Sequence, residues 1–242
     1  MAHFLLIHGS CHAAWCWREV LPLLHAAGHQ ARAIDLPAHG ADSTPAATAT
    51  LDGYAIAILA AITDPVILVG HSMAGFPIAA AAEREPAKVA KLIFVCAYAP
   101  RHGLSMIDMR KQAAAQPLLE ALILAPDRLT YTVDPTKAGA RFYHDCPPAT
   151  AADAITRLTP EPVTPQATRI HLTARYDAVE KHYIRCLDDR TIPPEHQAAM
   201  TATWPAASVT TLPTGHSPFF AAPALLAARL IALASSNPPV GR

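Results

Sequence analysis

The chain has 242 residues, 52% of them hydrophobic, with 19 basic side chains balanced by 19 acidic ones. That size and apolar content suit one α/β domain with an insertion and a large buried core. The even charge, without a run of Lys and Arg, excludes a nucleic-acid footprint, and the longest apolar stretches, 55–62 and 225–234, are too short to span a bilayer.

The chain enters a first strand at once, over 3–7, and no basic segment leads into an apolar core as in a secretory leader. A helical pattern follows over 15–27, a second strand over 30–35 and a helix over 54–62. Asp35, at the end of the second strand, is expected to cap the turn that runs on to Gly40. The third strand, 66–69, is a β-branched apolar run. It stops at Gly70-His71-Ser72-Met73-Ala74, and a helix of small residues follows over 73–85. A fourth strand is expected over 92–96.

The alternation then breaks. Residues 101–180 are rich in proline, with helical pieces at 107–115 and 149–158 and a short β-like run at 129–133. It resumes with a strand at 182–186, a helix at 194–203, a strand at 208–212 and a helix at 223–234. The tail from 235 to 242 is expected to be loose. Strands alternating with helices predict an α/β fold, a mostly parallel six-stranded sheet flanked by helices on both faces. The core is then 1–100 and 181–242. The insertion after the fourth strand, 101–180, is read as a lid over the carboxyl ends of the strands, where such sheets bind ligands.

The five cysteines, Cys11, Cys16, Cys96, Cys146 and Cys186, are odd in number and scattered, with no C-x-x-C pair. Free thiols and a cytoplasmic location follow, and neither a zinc site nor a redox motif does.

Ser72 carries the chemistry. A strand, a tight turn and a helix in that order make a nucleophile elbow. Gly70 and Ala74 must be small there because helix and strand approach each other, and Gly75 is expected to supply extra backbone freedom. A serine nucleophile needs a base, and the base needs a carboxylate to orient it. His216 lies in Pro213-Thr214-Gly215-His216-Ser217-Pro218, between the last strand and the last helix. The loop after the preceding strand offers Asp188 and Asp189. Asp189 is favoured, and a shift of one residue would select Asp188 instead. Two backbone N–H groups are needed for an oxyanion. Met73, after the nucleophile, supplies one, and Ser10, in the loop after the first strand, supplies the other.

His8 and His12 lie four apart but on a loop, with no third ligand evident, so no metal is expected. His71 is read as a structural residue beneath the elbow. Cys11 and Cys16 are read as packing residues, as are Trp15, Phe76 and Pro77. The apolar lid residues Met106, Leu118, Leu122, Phe142 and Tyr143, together with His12, are the candidate pocket wall.

Four segments carry a family resemblance: Phe4-Leu5-Leu6-Ile7-His8-Gly9-Ser10-Cys11-His12-Ala13-Ala14-Trp15-Cys16-Trp17, Val69-Gly70-His71-Ser72-Met73-Ala74-Gly75, Tyr183-Ile184-Arg185-Cys186-Leu187-Asp188-Asp189-Arg190-Thr191-Ile192-Pro193 and Gly215-His216-Ser217. With them the chain resembles the plant methylesterase and hydroxynitrile lyase group of α/β-hydrolases and its bacterial relatives. The resemblance implies the α/β-hydrolase fold, Ser72 as nucleophile, Asp189 as acid, His216 as base, and oxyanion amides on Ser10 and Met73. The lyases of that group carry a threonine where this chain has Gly9, a lysine where it has Ser217 and a glutamate where it has His71. Those departures favour an esterase. The implied activity is cofactor-free hydrolysis of small carboxylic esters, with methyl, alkyl and aryl esters and carbamates as substrate types. A hydroxynitrile lyase and a ligand receptor with a slow triad are the alternatives. The expected partner is a small-molecule ester, with neither nucleic acid nor membrane, and a homodimer is left open.

Overall fold

The computed structural model describes residues 1–235; the tail expected to be loose lies outside them beyond Ser235. In chain order the first half contains β1 (His3–Ile7), α1 (Leu21–Ala26), β2 (Gln30–Ile34), α2 (Leu51–Ala60), β3 (Val66–His71), α3 (Gly75–Arg84) and β4 (Val89–Val95). The inserted segment holds α4 (Met106–Lys111), β5 (Leu122–Leu124), β6 (Thr130–Val133), α5 (Pro135–Phe142), α6 (Pro148–Thr156), β7 (Glu161–Pro162), α7 (Val163–Ala167) and α8 (Ala174–Asp177). The core returns with β8 (Lys181–Cys186), α9 (Pro194–Met200), β9 (Val209–Leu212), α10 (Pro218–Ala221) and α11 (Pro223–Ser235).

Six strands form one sheet in the order β2-β1-β3-β4-β8-β9, and every pairing is parallel. This is the α/β-hydrolase architecture expected from the sequence. A central parallel strand is covered on both faces and reads as a continuous apolar run, and β3 is buried at all six positions. Alternation along the strands divides the core into two clusters. Leu5, Ile7, Leu68, Leu92 and Phe94 pack on one side, and Phe4, Leu6, Ile67, Val69, Ile93 and Val95 on the other.

Two expectations need correction. The helix expected over 15–27 is a 3-10 turn, Ala14–Trp17, followed by the separate α1. Pro22 has no N–H to donate and its ring would clash with the carbonyl four residues back, so it fits only the first turn of a new helix. Gly75 has an ordinary helical φ of −55°, so it supplies no unusual backbone freedom. Its requirement is steric: a Cβ there would lie 1.9 Å from the Tyr98 carbonyl oxygen.

The inserted segment contains a second, antiparallel sheet, β5-β6-β7. Only the β6 part was legible as a strand. Capping chemistry starts its helices. Ser105 and Asp108 form a reciprocal capping box at α4, and Asp134 accepts from Thr136 N–H at α5.

Candidate active site

Ser72 sits at the junction of β3 and the 3-10 turn Ser72–Ala74, with a left-handed φ of 55°. That conformation is costly for a residue with a Cβ and survives only where the surroundings impose it. Here they do. A Cβ on Gly70 would lie 2.8 Å from Ile78 Cδ1 and 2.9 Å from the Ala74 carbonyl oxygen, and the Tyr98 N–H donates to the Ser72 carbonyl at 3.0 Å. The turn is held from both sides.

His216 Nε2 lies 3.1 Å from Ser72 Oγ, and His216 Nδ1 lies 2.8 Å from Asp189 Oδ2. The three residues are therefore joined in one hydrogen-bonded line although they come from loops after β3, β8 and β9. All three are buried. The other oxygen of Asp189 accepts from the N–H groups of Thr191 at 2.7 Å and Ile192 at 2.9 Å. Asp188, the alternative, points outward to His144 Nε2 at 3.0 Å, and that hydrogen bond draws its pKa down. It makes no contact with His216.

Behind the line, His71 Nε2 donates to the His216 carbonyl at 2.7 Å. Burial, and then the neighbouring His216, push His71 well below the ordinary histidine pKa, so it is neutral. It is the structural residue beneath the elbow that was expected.

The loop after β1 is fixed group by group. His8 Nδ1 donates to the Gly9 carbonyl at 2.9 Å, while its Nε2 accepts from Leu36 N–H at 3.1 Å. His12 Nδ1 donates to the Ser10 carbonyl at 2.7 Å, and its Nε2 accepts from the Tyr143 hydroxyl at 2.7 Å. Burial lowers the His12 pKa to about 4, which agrees with a neutral ring serving one donor and one acceptor. Cys11, at φ 62°, donates its N–H to Glu161 Oε2 at 2.8 Å. Glu161 also meets His39 Nε2 at 2.9 Å, fully buried. Burial works against a charged His39, but the Glu161 carboxylate, together with the Pro37 carbonyl and Asp35, offsets it and the His39 pKa is raised. The loop lies close against the elbow, since a Cβ on Gly9 would be 2.9 Å from Ser72 Cβ. The Ser10 N–H has no hydrogen-bond acceptor among the described residues.

Ser72 and His216 line a narrow cavity of about 30 Å³. Of the expected wall, His12, Met106, Leu118 and Phe142 line it. Leu122 and Tyr143 do not. Leu122 is tied into β5 opposite Val133, and the buried Tyr143 hydroxyl is spent on His12 behind the wall.

Sequence reasoning missed several residues around this site. Gln197 Nε2 donates to Asp189 Oδ2 at 2.9 Å and to the Ile192 carbonyl at 2.7 Å. Gln166 Nε2 donates to Ser10 Oγ at 3.0 Å and to the Tyr131 hydroxyl at 2.8 Å. Asp145 accepts from Gly215 N–H at 2.5 Å, one residue before His216. The Glu161–His39 pair spans 122 residues. No spacing rule links such partners, and only the fold brings them together.

His71, Cys96 and His216 offer ligand atoms within 4.8 Å of one another. His71 Nε2 and His216 Nδ1 are committed to the hydrogen bonds above. All five cysteines are free, and burial raises the pKa of Cys11 and Cys16. No helix among the described residues is long and apolar enough to cross a membrane.

Residues 4–229 match the Alpha/beta hydrolase family. Methylesterase 2 of Arabidopsis thaliana is 31% identical, over 97% of this chain and 96% of its own length. Esterase PIR7B of Oryza sativa subsp. japonica is 32% identical, over 86% of this chain and 85% of its own. Among solved structures, a pyrethroid hydrolase from Sphingobium faniae JZ-2 superposes with a TM-score of 0.86 at 26% identity, covering 97% of this chain and 98% of that one.

Proposed function

The chain belongs to the alpha/beta hydrolase family, among the relatives of the plant methylesterases, and from that premise we propose that it hydrolyses small carboxylic esters through an acyl-enzyme on Ser72. The observation that carries this reading is the continuous line Ser72 Oγ, His216 Nε2, His216 Nδ1, Asp189 Oδ2 at 3.1 and 2.8 Å.

In this mechanism Ser72 Oγ attacks the ester carbonyl while His216 Nε2 takes the hydroxyl proton. Asp189 holds the imidazole in the required tautomer and stabilises its charged form. The tetrahedral oxyanion is held by the N–H groups of Ser10 and Met73, each worth about 3 kcal/mol in the transition state. The C–O bond to the alcohol breaks, and the alcohol leaves with the proton from His216. Water, deprotonated by His216, then cleaves the acyl-serine and releases the acid. The segment 101–180 serves as the lid of the site, since it supplies Met106, Leu118 and Phe142 to the wall.

The space around Gly9 supports an esterase over a lyase. A Cβ there would lie 2.7 Å from His71 Nδ1, so the elbow histidine fills the room that the threonine of the lyases needs. The test is release of acid and alcohol from methyl and aryl esters, with a fluorophosphonate adduct read by intact mass. Ser72→Ala should lose both signals and keep its fold. Turnover surviving in that variant would refute the assignment.

A further inference from the structure

Arg110 is the only Arg or Lys on the cavity wall, and no Asp or Glu lines the wall with it. It lies on α4. The nearest acid in sequence on that helix, Asp108, is already occupied by Ser105 N–H at 3.1 Å and by Arg169 at 3.6 Å. Arg110 Nε is buried without a hydrogen-bond partner, and no ion pair joins this guanidinium to an acid among the described residues. Arg110 as a whole is half-buried; its Nε is the part withdrawn from water, and a buried donor with no acceptor, on a side chain with no counter-ion, is unfavourable. A ligand that brings the anion removes the penalty.

Two further polar groups face the same region. His196, on α9, has a buried Nε2 with no partner and lies edge-on to Tyr98 with ring centroids 6.1 Å apart. Burial, and then the nearby Arg101, lower its pKa, so it is a neutral ring. Tyr98 is close enough to Arg110 for the guanidinium to act on its phenol, though burial dominates and keeps the hydroxyl protonated. The backbone of Tyr98 is bonded to the carbonyl of Ser72. This polar corner therefore adjoins the elbow, while Met106, Leu118 and Phe142 supply apolar surface to the wall.

We propose that the cavity selects esters bearing a second, anionic group, with Arg110 pairing that group and Tyr98 and His196 hydrogen-bonding to it. The proposal rests on the ester-hydrolase reading and names its substrate class. A carboxylate is the natural occupant, because the planar guanidinium fork matches its two oxygens. A phosphonate shares the chemistry and is distinguished by experiment.

The test compares methanol release from monomethyl succinate, glutarate and adipate with release from the corresponding neutral dimethyl esters, at low ionic strength. One phosphono methyl ester forms a further arm. The expected result is a preference of 10-fold or more in kcat/KM for the half-ester at the best chain length, carried by KM. In Arg110→Met that ratio falls to about 1, and in Arg110→Lys it is partly kept. A stronger preference for the phosphono ester would support the anion site and reassign its occupant. Equal ratios in wild type and Arg110→Met would overturn the proposal, with urea midpoints checking that each variant is folded. If wild type hydrolyses no ester, the hydrolase reading fails, and the anion site is judged by calorimetry instead. Monomethyl adipate should then bind Ser72→Ala at least 10-fold more tightly than Ser72→Ala/Arg110→Met. Equal affinity would overturn the site as well.

Discussion

The side-chain amide of Gln197 lies 2.9 Å from Asp189 Oδ2, the same oxygen that faces His216. Gln197 is fully buried, and its own carbonyl oxygen is anchored by Cys186 N–H at 3.0 Å. It fixes where the carboxylate points. Gln197→Leu removes that anchor and leaves the Cys186 N–H without its acceptor. We expect kcat to fall about 10-fold with KM little changed, together with a loss of about 1–3 kcal/mol in stability. A variant with wild-type kcat would show that the Thr191 and Ile192 amides hold Asp189 unaided.

The neighbouring aspartates should separate cleanly. Asp189→Asn removes the charge and disturbs the tautomer of His216, and kcat should drop by roughly 10³–10⁴-fold. Asp188→Asn touches only the exposed contact with His144, and kcat should stay within about 2-fold. Ester turnover of the two purified variants decides it, and the reverse ranking would move the acid to Asp188.

Gly75→Ala should be severely destabilising, because the added methyl meets a backbone carbonyl 1.9 Å away rather than a side chain that can swing aside. Overpacking of this kind costs about 3 kcal/mol. A urea midpoint equal to that of wild type would mean that the loop around Tyr98 yields.

Acid should unfold the protein early. His12 titrates near 4 when folded, against 6.5 as its ordinary value. Between these values the unfolded chain takes up a proton that the folded chain refuses, so stability falls as pH drops from about 6.5 toward 4 and is flat above. The contribution is roughly 3 kcal/mol. His8 and His71, both lowered by burial, add with the same sign. His39 opposes them: its raised pKa gives stability that is complete below about 6.5 and is lost as pH rises through the raised value. Urea midpoints from pH 7.5 to 4.5 should show a steep acid limb, flattened in His12→Gln. A variant whose slope matches that of wild type would remove His12 from the account.

The central sheet was legible because β3 and β4 are buried on both faces and leave continuous apolar runs. The elbow was legible because steric crowding demands small residues at fixed offsets from Ser72. The choice between Asp188 and Asp189 turned on which side chain faces inward, and that depends on register at a strand end, which pattern alone fixes poorly. The inserted segment was the least legible part. Its strands have two to four residues, too few for a period to show, and while β5 and β6 make a local hairpin, the third strand joins them only at Glu161–Pro162. Leu122 and Tyr143 were misplaced for the same reason: an apolar side chain there had two surfaces to choose between.

The inserted segment is fastened to the core at several points, and one of them lies beside the acid and the base. His144 holds Asp188 and Asp145 holds the Gly215 N–H, so two consecutive residues grip the loops that present the acid and the base. Prying this corner open would drag His216 and Asp189 apart, and a site that admitted molecules this way would disarm itself at every visit. Ala113, Gln116 and Leu119 also line the cavity and carry no member of the hydrogen-bonded line, so a displacement there would leave the acid and the base in place.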